Sequence, residues 1–310
     1  MSSKIVVVGS CNIDLQCFTP RLPKPGETLH GTKFVKGYGG KGANQCVAAA
    51  KLGAATSMVA RLGDDSFGHD FLQALKNYNV NTEFVHLTEG ISTGMAQITV
   101  AENGENTIVI VVGANNELSA TDVHQASHVI KAAKVVVFQF EILVSTTIEA
   151  LKTVKQGKGI SIVNAAPAMA NPDPRIFELS DIFCVNEPEA EILTGLPVRT
   201  VEDAKLALSK LLDRGCKVVI ITLGASGSVF ASHEDRTPIH VPTQHVKPID
   251  TTGAGDMFIG GLAYYLAYHS DLPMEEIVRR SCELATMSVL KVGTQTSFPT
   301  RDELPAELFA

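Results

Sequence analysis

The segment Asp250-Thr251-Thr252-Gly253-Ala254-Gly255-Asp256 carries the sharpest chemistry in this sequence. Its small residues stand directly before a predicted helix, Asp256–His269. The free N–H groups of such a helix start, with the helix dipole behind them, make an anion site. Asp256 enters in the first turn, where a carboxylate is stabilised as the anion. The sequence therefore predicts an ionised Asp256 at neutral pH, able to accept a proton. An anion hole beside a base is what phosphoryl transfer to a hydroxyl requires. The same spacing also suits an ordinary acidic helix start.

Four further groups have usable spacing. Gly39 and Gly40 let backbone approach a ligand closely. Lys41 and Asn44 follow, three apart at the start of a predicted helix continuing over Ala43–Leu52, so they can share one face. A cation and an amide beside bare backbone suit a polyhydroxylated ligand; a tight turn with a solvated lysine fits equally. Asn12 and Asp14, just past the first strand and two apart in extended chain, point the same way. They can bind vicinal hydroxyls or form an Asx turn. Asn186-Glu187-Pro188-Glu189 has the pattern of a capping box with proline in the first turn. Asn186 and Glu189 are alternatively placed for water-mediated Mg²⁺ and phosphate contacts. Thr222-Leu223-Gly224-Ala225-Ser226-Gly227 follows a strand, and either hugs a nucleotide or simply turns.

Two phosphate-binding signatures are disfavoured. Gly37-Tyr38-Gly39-Gly40-Lys41-Gly42 matches GxGxxG formally. A dinucleotide site wants those glycines straight after the first strand, which ends far earlier at Gly9. Lys41 is followed by Gly42, so there is no Walker A loop.

The elements that must position these groups read as α/β. Lys4–Gly9 is a β-branched run ending at glycine, the pattern of a buried first strand. Val135–Phe138, Ile160–Val163, Ile182–Val185 and Val218–Thr222 repeat it. Helix-like stretches Val123–Ala133, Thr146–Gln156, Glu187–Leu193 and Val201–Arg214 separate them, with Ser119, Ser145 and Thr200 as candidate N-caps. Strands alternating with helices predict a mostly parallel sheet covered on both faces. Leu29–Val35, and Met95–Ala101 with Thr107–Val112 around Glu102-Asn103-Gly104-Glu105-Asn106, have no helix nearby. They predict a small antiparallel sheet, either a lid over a cleft or a plain subsheet. The end of the chain reads as two helices, Asp256–His269 and Met274–Val292.

Composition limits the function classes. The 310 residues are 45% hydrophobic and 19% charged, which is globular. Twenty-six basic residues against 33 acidic give −7, with no basic block, so no nucleic-acid partner is expected. The longest apolar run, Met257–Tyr268, is too short for a bilayer, so no membrane partner is expected either. Six cysteines without a CxxC pair, and no leader-like start, point to a reducing cytoplasmic compartment; they do not speak against the nucleus.

Taken together, these residues resemble the PfkB carbohydrate kinase family. The carrying stretches are Val8–Asp14, Gly39–Gln45, Asn186–Glu191, Thr222–Gly224 and Asp250–Asp256, in the family's order and across nearly the whole chain. DTxGAGD is shared widely in that family. GGKGANQ with NxD after the first strand is more particular to its ribose-phosphorylating members.

The resemblance implies a three-layer α/β fold with a mostly parallel central sheet and a small antiparallel β lid. The large domain would be 1–14, 40–92 and 113–310, and the lid 15–39 and 93–112. It implies ATP-dependent phosphorylation of D-ribose at O5. Asp256 would be the general base, and Gly253, Ala254 and Gly255 the anion hole. Asn12, Asp14, Gly39, Gly40, Lys41, Asn44 and Glu141 would hold the sugar together with Asp256. Asn186 and Glu189 would organise phosphates and Mg²⁺. Thr222, Leu223, Gly224, Ala225, Ser226, Gly227, Gly255 and Cys282 would line the nucleotide pocket. A monovalent cation, K⁺, would sit by Asp250, Thr252, Ser288, Lys291, Gly293 and Ser297. The family also implies a homodimer paired through the lids. Another sugar or nucleoside kinase, or a non-catalytic binding regulator, would use the same fold. The lack of tryptophan and the scarcity of aromatic residues near the sugar stretches favour a bare pentose over a nucleoside.

Overall fold

Every residue of strand β1, Ile5–Val8, is buried. Ile5 and Val7 join one apolar cluster, and Val6 and Val8 another. A strand apolar on both sides needs cover on both sides. In the computed structural model, which describes residues 4–310, helices supply it.

Among the described residues, nine strands form the large sheet. From one edge these are β13 (Ile239–Val241), β12 (Ser228–Ser232), β11 (Val218–Thr222), β10 (Ile182–Asn186), β9 (Ile160–Asn164), β8 (Val135–Phe138), β1, β4 (Thr56–Gly63) and β5 (Asn81–Thr88). Pairing is parallel from β11 to β5; the edge strands β12 and β13 are antiparallel. Helices α1 (Lys41–Lys51), α2 (Ser66–Asn77), α9 (Ala254–Tyr268) and α10 (Met274–Ser288) bury their apolar residues on one face. Helices α3 (Ala120–Gln125), α4 (Ser127–Ala132), α5 (Val144–Val154), α6 (Arg175–Leu179), α7 (Glu187–Thr194) and α8 (Val201–Leu212) bury theirs on the other.

The second sheet contains β2 (Asn12–Thr19), β3 (Lys33–Gly39), β6 (Gly94–Ala101) and β7 (Asn106–Val111), in the order β3-β2-β6-β7. Its outer pairs are antiparallel and its central pair, β2 with β6, is parallel.

Several local expectations shift. The strand expected at Leu29–Val35 lies at Lys33–Gly39, where it pairs residue for residue with β2. The helix expected over Val123–Ala133 is two short helices meeting at Ala126. Ser119 and Thr200 are N-caps as expected, each within a capping box. Ser145 is no cap: α5 starts at Val144, and the Leu143 carbonyl accepts the N–H groups of Thr146 and Thr147. The β4–α2–β5 unit carries no sequence motif that announces it. The Asp65 side chain caps α2 by accepting the Gly68 N–H at 2.8 Å.

The strand order fixes where a site can form. The chain goes from β1 outward to β4 and β5, then returns to β8 on the other side of β1. Between β1 and β8 the winding reverses, and in open α/β sheets ligands bind beyond the carboxyl ends of strands at such a point. Ser10 and Asn12 follow β1, and Gln139 and Glu141 follow β8. Asn164, Asn186 and Thr222 end β9, β10 and β11 on the same side.

Candidate active site

Helix α9 begins without a side-chain cap. Its N-cap, Gly253, has φ +81°, and a Cβ there would come within 2.7 Å of Thr294 Cγ2 and 3.0 Å of Phe298 Cε1. Glycine meets both demands. The Met257 N–H makes an i→i−4 bond to the Gly253 carbonyl at 2.8 Å. Of the earlier N–H groups, that of Ala254 reaches the Thr251 carbonyl at 3.3 Å, while those of Gly255 and Asp256 have no i→i−4 partner in the turn. A Cβ on Gly255 would meet nothing within 4 Å, so this turn faces open space.

The Asp256 carboxylate is buried among amides. Asn44 Nδ2 donates to Oδ2 at 2.9 Å and Gln45 Nε2 donates to Oδ1 at 2.9 Å. Burial pushes its pKa up; Lys41, Asn44 and Gln45 pull the other way, and Glu141 adds to the rise. This corrects the expectation from helix position alone. A helix N-terminus offers roughly 0.3–1 kcal/mol to a nearby anion, and here desolvation outweighs it.

The glycine-rich turn packs α1 against the end of β1. Gly40 is the N-cap of α1 with φ +84°, and a Cβ on it would fall 2.7 Å from the Asn12 backbone nitrogen. A Cβ on Gly39 would strike the Asp14 carboxylate. Glu141 Oε2 accepts from the Lys41 backbone N–H at 2.8 Å and from Ser10 Oγ at 2.6 Å, tying the turn to the segment after β8. Asn12 Oδ1 accepts from Asn115 Nδ2 at 2.8 Å. Burial, with Glu141 and Asp256 nearby, raises the Asp14 pKa to about 7. Burial opposes the Lys41 ammonium, but Asp256, Glu141 and Glu189 outweigh it and raise its pKa.

Two cavities meet at the start of α9. One, of about 170 Å³, is polar and is lined by Lys41, Asn164, Asn186, Glu189, Gly253, Gly255 and Asp256 among others. Asn186 and Glu189 form the expected capping box, each accepting the other's backbone N–H at 2.9 Å, and both remain on the cavity wall. Burial raises the Glu189 pKa. The other cavity, of about 220 Å³, is mostly apolar. Thr222, Gly224, Ala225, Gly227, Ala254, Gly255 and Cys282 line it, together with Phe258 and Val289. Leu223 and Ser226 are not on that wall. The Leu223 side chain is buried in the core, and the Ser226 carbonyl lies 2.8 Å from His240 Nε2.

Asp250 joins the segments proposed for a monovalent cation. Its Oδ1 accepts the Thr252 N–H and its Oδ2 the Gly293 N–H, both at 2.9 Å. Burial opposes ionisation, but these two bonds prevail and lower its pKa. Ser288 Oγ and Ser297 Oγ donate to the carbonyls of Ala285 and Thr294. Lys291 Nζ pairs with Glu303 at 2.7 Å on the surface, so only its backbone is available to an ion. No group of three or more His, Cys, Asp or Glu side chains suited to a metal occurs among the described residues.

The amides Gln45, Gln139, Asn164, Gln295 and Asn115 were missed as site residues by sequence reasoning. Gln45 stands within a quoted motif, but no spacing rule links it to Asp256.

The sequence matches the family described as "pfkB family carbohydrate kinase" over residues 2–301. It is 50% identical to a ribokinase of Mus musculus over 99% of this chain and 95% of that protein. It is 37% identical to a deoxyribokinase of Salmonella typhi, covering 96% of each. Its fold superposes on the structure of Arabidopsis thaliana ribokinase complexed with ribose and ATP with a TM-score of 0.90, at 32% identity, covering 98% of this chain and 97% of that one. The glycine-bounded turn at Asp256 thus sits in a full-length match, and the chain belongs to the pfkB family of carbohydrate kinases.

Proposed function

We propose that this chain transfers the γ-phosphoryl group of ATP to O5 of D-ribose, giving ADP and ribose 5-phosphate. The observation that carries the reading is the meeting of a polar and an apolar cavity at Gly255, beside the Asp256 carboxylate. The 50% identity to a ribokinase supports ribose as the acceptor.

Asn12, Asp14, Gly39, Gly40, Asn44 and Glu141 surround the sugar, with Lys41 between sugar and phosphates. Asp256 accepts the proton of the attacking hydroxyl while the O5–P bond forms and the bond from phosphorus to the ADP oxygen breaks. The N–H groups at Gly253–Gly255 receive the charge on the moving phosphoryl oxygens. The apolar cavity holds the adenosine moiety.

The side-chain oxygens of Asn186 and Glu189 on the polar cavity wall fit Mg²⁺ that arrives with phosphate and water ligands. Asn186 and Glu189 would hold that hydrated ion, which when bound neutralises phosphate charge. The hard oxygen donors around Asp250, tied to Thr252 and Gly293, fit K⁺.

The small sheet supports a homodimer. All of β7 is exposed, including Ile108, Val109 and Ile110, and it forms an open edge. An apolar edge strand invites pairing with another strand. A second copy of the same sheet would cover it.

The test is ADP release with ribose, 2-deoxyribose, fructose and adenosine as acceptors, with and without K⁺. Ribose-dependent turnover that rises with K⁺ is expected. Turnover only with another acceptor would replace the sugar assignment, and none at all would leave a binding protein.

A further inference from the structure

Asp256 is held by two amides, and each amide is held by another. Asn44 donates to Asp256, and Asn44 Oδ1 accepts from Gln295 Nε2 at 3.0 Å. Gln45 Nε2 donates to both Asp256 and Asn164 Oδ1, the latter at 3.0 Å, while Gln45 Oε1 accepts from Gln139 Nε2 at 2.7 Å. Gln139 and Gln295 are buried and reach the site from different segments, one after β8 and one after α10.

A primary amide has a donor end and an acceptor end. Reversed, Asn44 or Gln45 would aim an oxygen at the carboxylate. Gln295 and Gln139 oppose that by placing N–H groups on the acceptor ends. Gln139 Oε1 itself has no hydrogen-bond partner among the described residues, and a Cβ on Gly9 would lie 2.0 Å from it. A buried oxygen without a donor is costly. The fold accepts that cost, and keeps a glycine beside it, while the donor end of Gln139 remains in use.

We propose that Gln139 and Gln295 are positioning residues which, through Gln45 and Asn44, hold two donors on Asp256 and keep it oriented and ionised for proton removal. The inference rests on the reading of Asp256 as the base. The charged groups facing Asp256 are Lys41 from α1, Glu141 after β8, Glu189 from α7 and Asp14 from β2. Three of these four are acids, which disfavour a further negative charge. The amide donors join Lys41 as the counterweight.

The experiment is the single-turnover rate against pH, with ribose and ATP saturating, for Gln139→Met and Gln295→Met. Methionine keeps the length of the side chain and removes the donor. The acid limb should move up by roughly one pH unit, with the rate recovering toward the parent's at high pH. An unmoved acid limb, whether the rate is unchanged or lowered uniformly, overturns the proposal. Two separated positions keep the test alive if one variant fails to fold, which thermal melting reports. Asp256→Asn is measured alongside. If it is inactive while both methionine variants keep the parent profile, only the positioning role fails. If it turns over normally, the base reading fails and the proposal with it.

Discussion

Asn115 Nδ2 lies 2.8 Å from Asn12 Oδ1, joining residues 103 positions apart. The same Asn115 nitrogen reaches the carbonyls of Val112 and Cys11, and its Oδ1 accepts the Cys11 N–H at 2.8 Å. One buried side chain thus ties the end of β7 to the turn between β1 and β2. It occupies the oxygen of Asn12 and leaves the Asn12 donors for a ligand. Replacing Asn115 with alanine strands the Cys11 N–H, a loss of about 1–3 kcal/mol. We expect Asn115→Ala to raise the KM for ribose about tenfold, within that range, and to leave the KM for ATP unchanged. Steady-state kinetics with each substrate varied would show it; an effect confined to ATP would contradict it.

Asp256→Asn removes the proposed proton acceptor but keeps the size of the side chain. A positioned general base contributes roughly 10²–10⁴-fold. The expected result is a kcat lower by about that factor, with ribose binding retained by calorimetry. Near-normal turnover would sink the base assignment.

Burial, with Glu141 and Asp256 nearby, pushes the Asp14 carboxyl up to about 7 in the fold, from the ordinary 3.8 of the unfolded chain. Between those values the native state binds a proton that the unfolded state does not. Stability therefore declines as pH rises through that window. Asp14→Asn should gain melting temperature relative to the parent at pH 8, and the gain should shrink toward pH 4. A pH-independent difference between the two would refute this.

Gly253→Ala asks an L side chain to take φ +81° and to sit 2.7 Å from Thr294 Cγ2. Strain of this kind costs of order 1–3 kcal/mol. The variant should melt lower. Because the turn proposed to receive the phosphoryl charge must shift, it should also lose roughly 10²-fold in kcat, while ribose binding changes little.

The exposed β7 edge makes a prediction about assembly. In sedimentation at micromolar concentration the parent should run at twice the mass of one chain. Val109→Lys places a charge on a residue that is 63% exposed in the single chain, and should yield monomers. A parent that sediments as a single chain would remove the proposed dimer.

The sequence by itself determined what depends on neighbours along the chain. Short β-branched runs separated by helix-like stretches announced β1 and β8–β11. Residue type announced N-caps at Ser119 and Thr200, and spacing announced a capping box at Asn186, all of which the fold contains. Glycines before Asp256 and Lys41 announced two helix starts that backbone must approach closely. These signals are local, because caps, turns and side-chain periodicity act within a few residues.

The tertiary structure decided what depends on distant partners and on water. Asn44 and Gln45 reach Asp256 across more than two hundred residues, and no spacing encodes that meeting. Leu223 and Ser226 share a loop with wall residues yet do not line the cavity, since which residues reach a cavity follows from how the loop packs. The direction of the Asp256 shift reversed because local sequence reports the helix dipole but not desolvation. Burial is set by the surrounding elements together, and for a carboxylate it outweighs the dipole of a single helix.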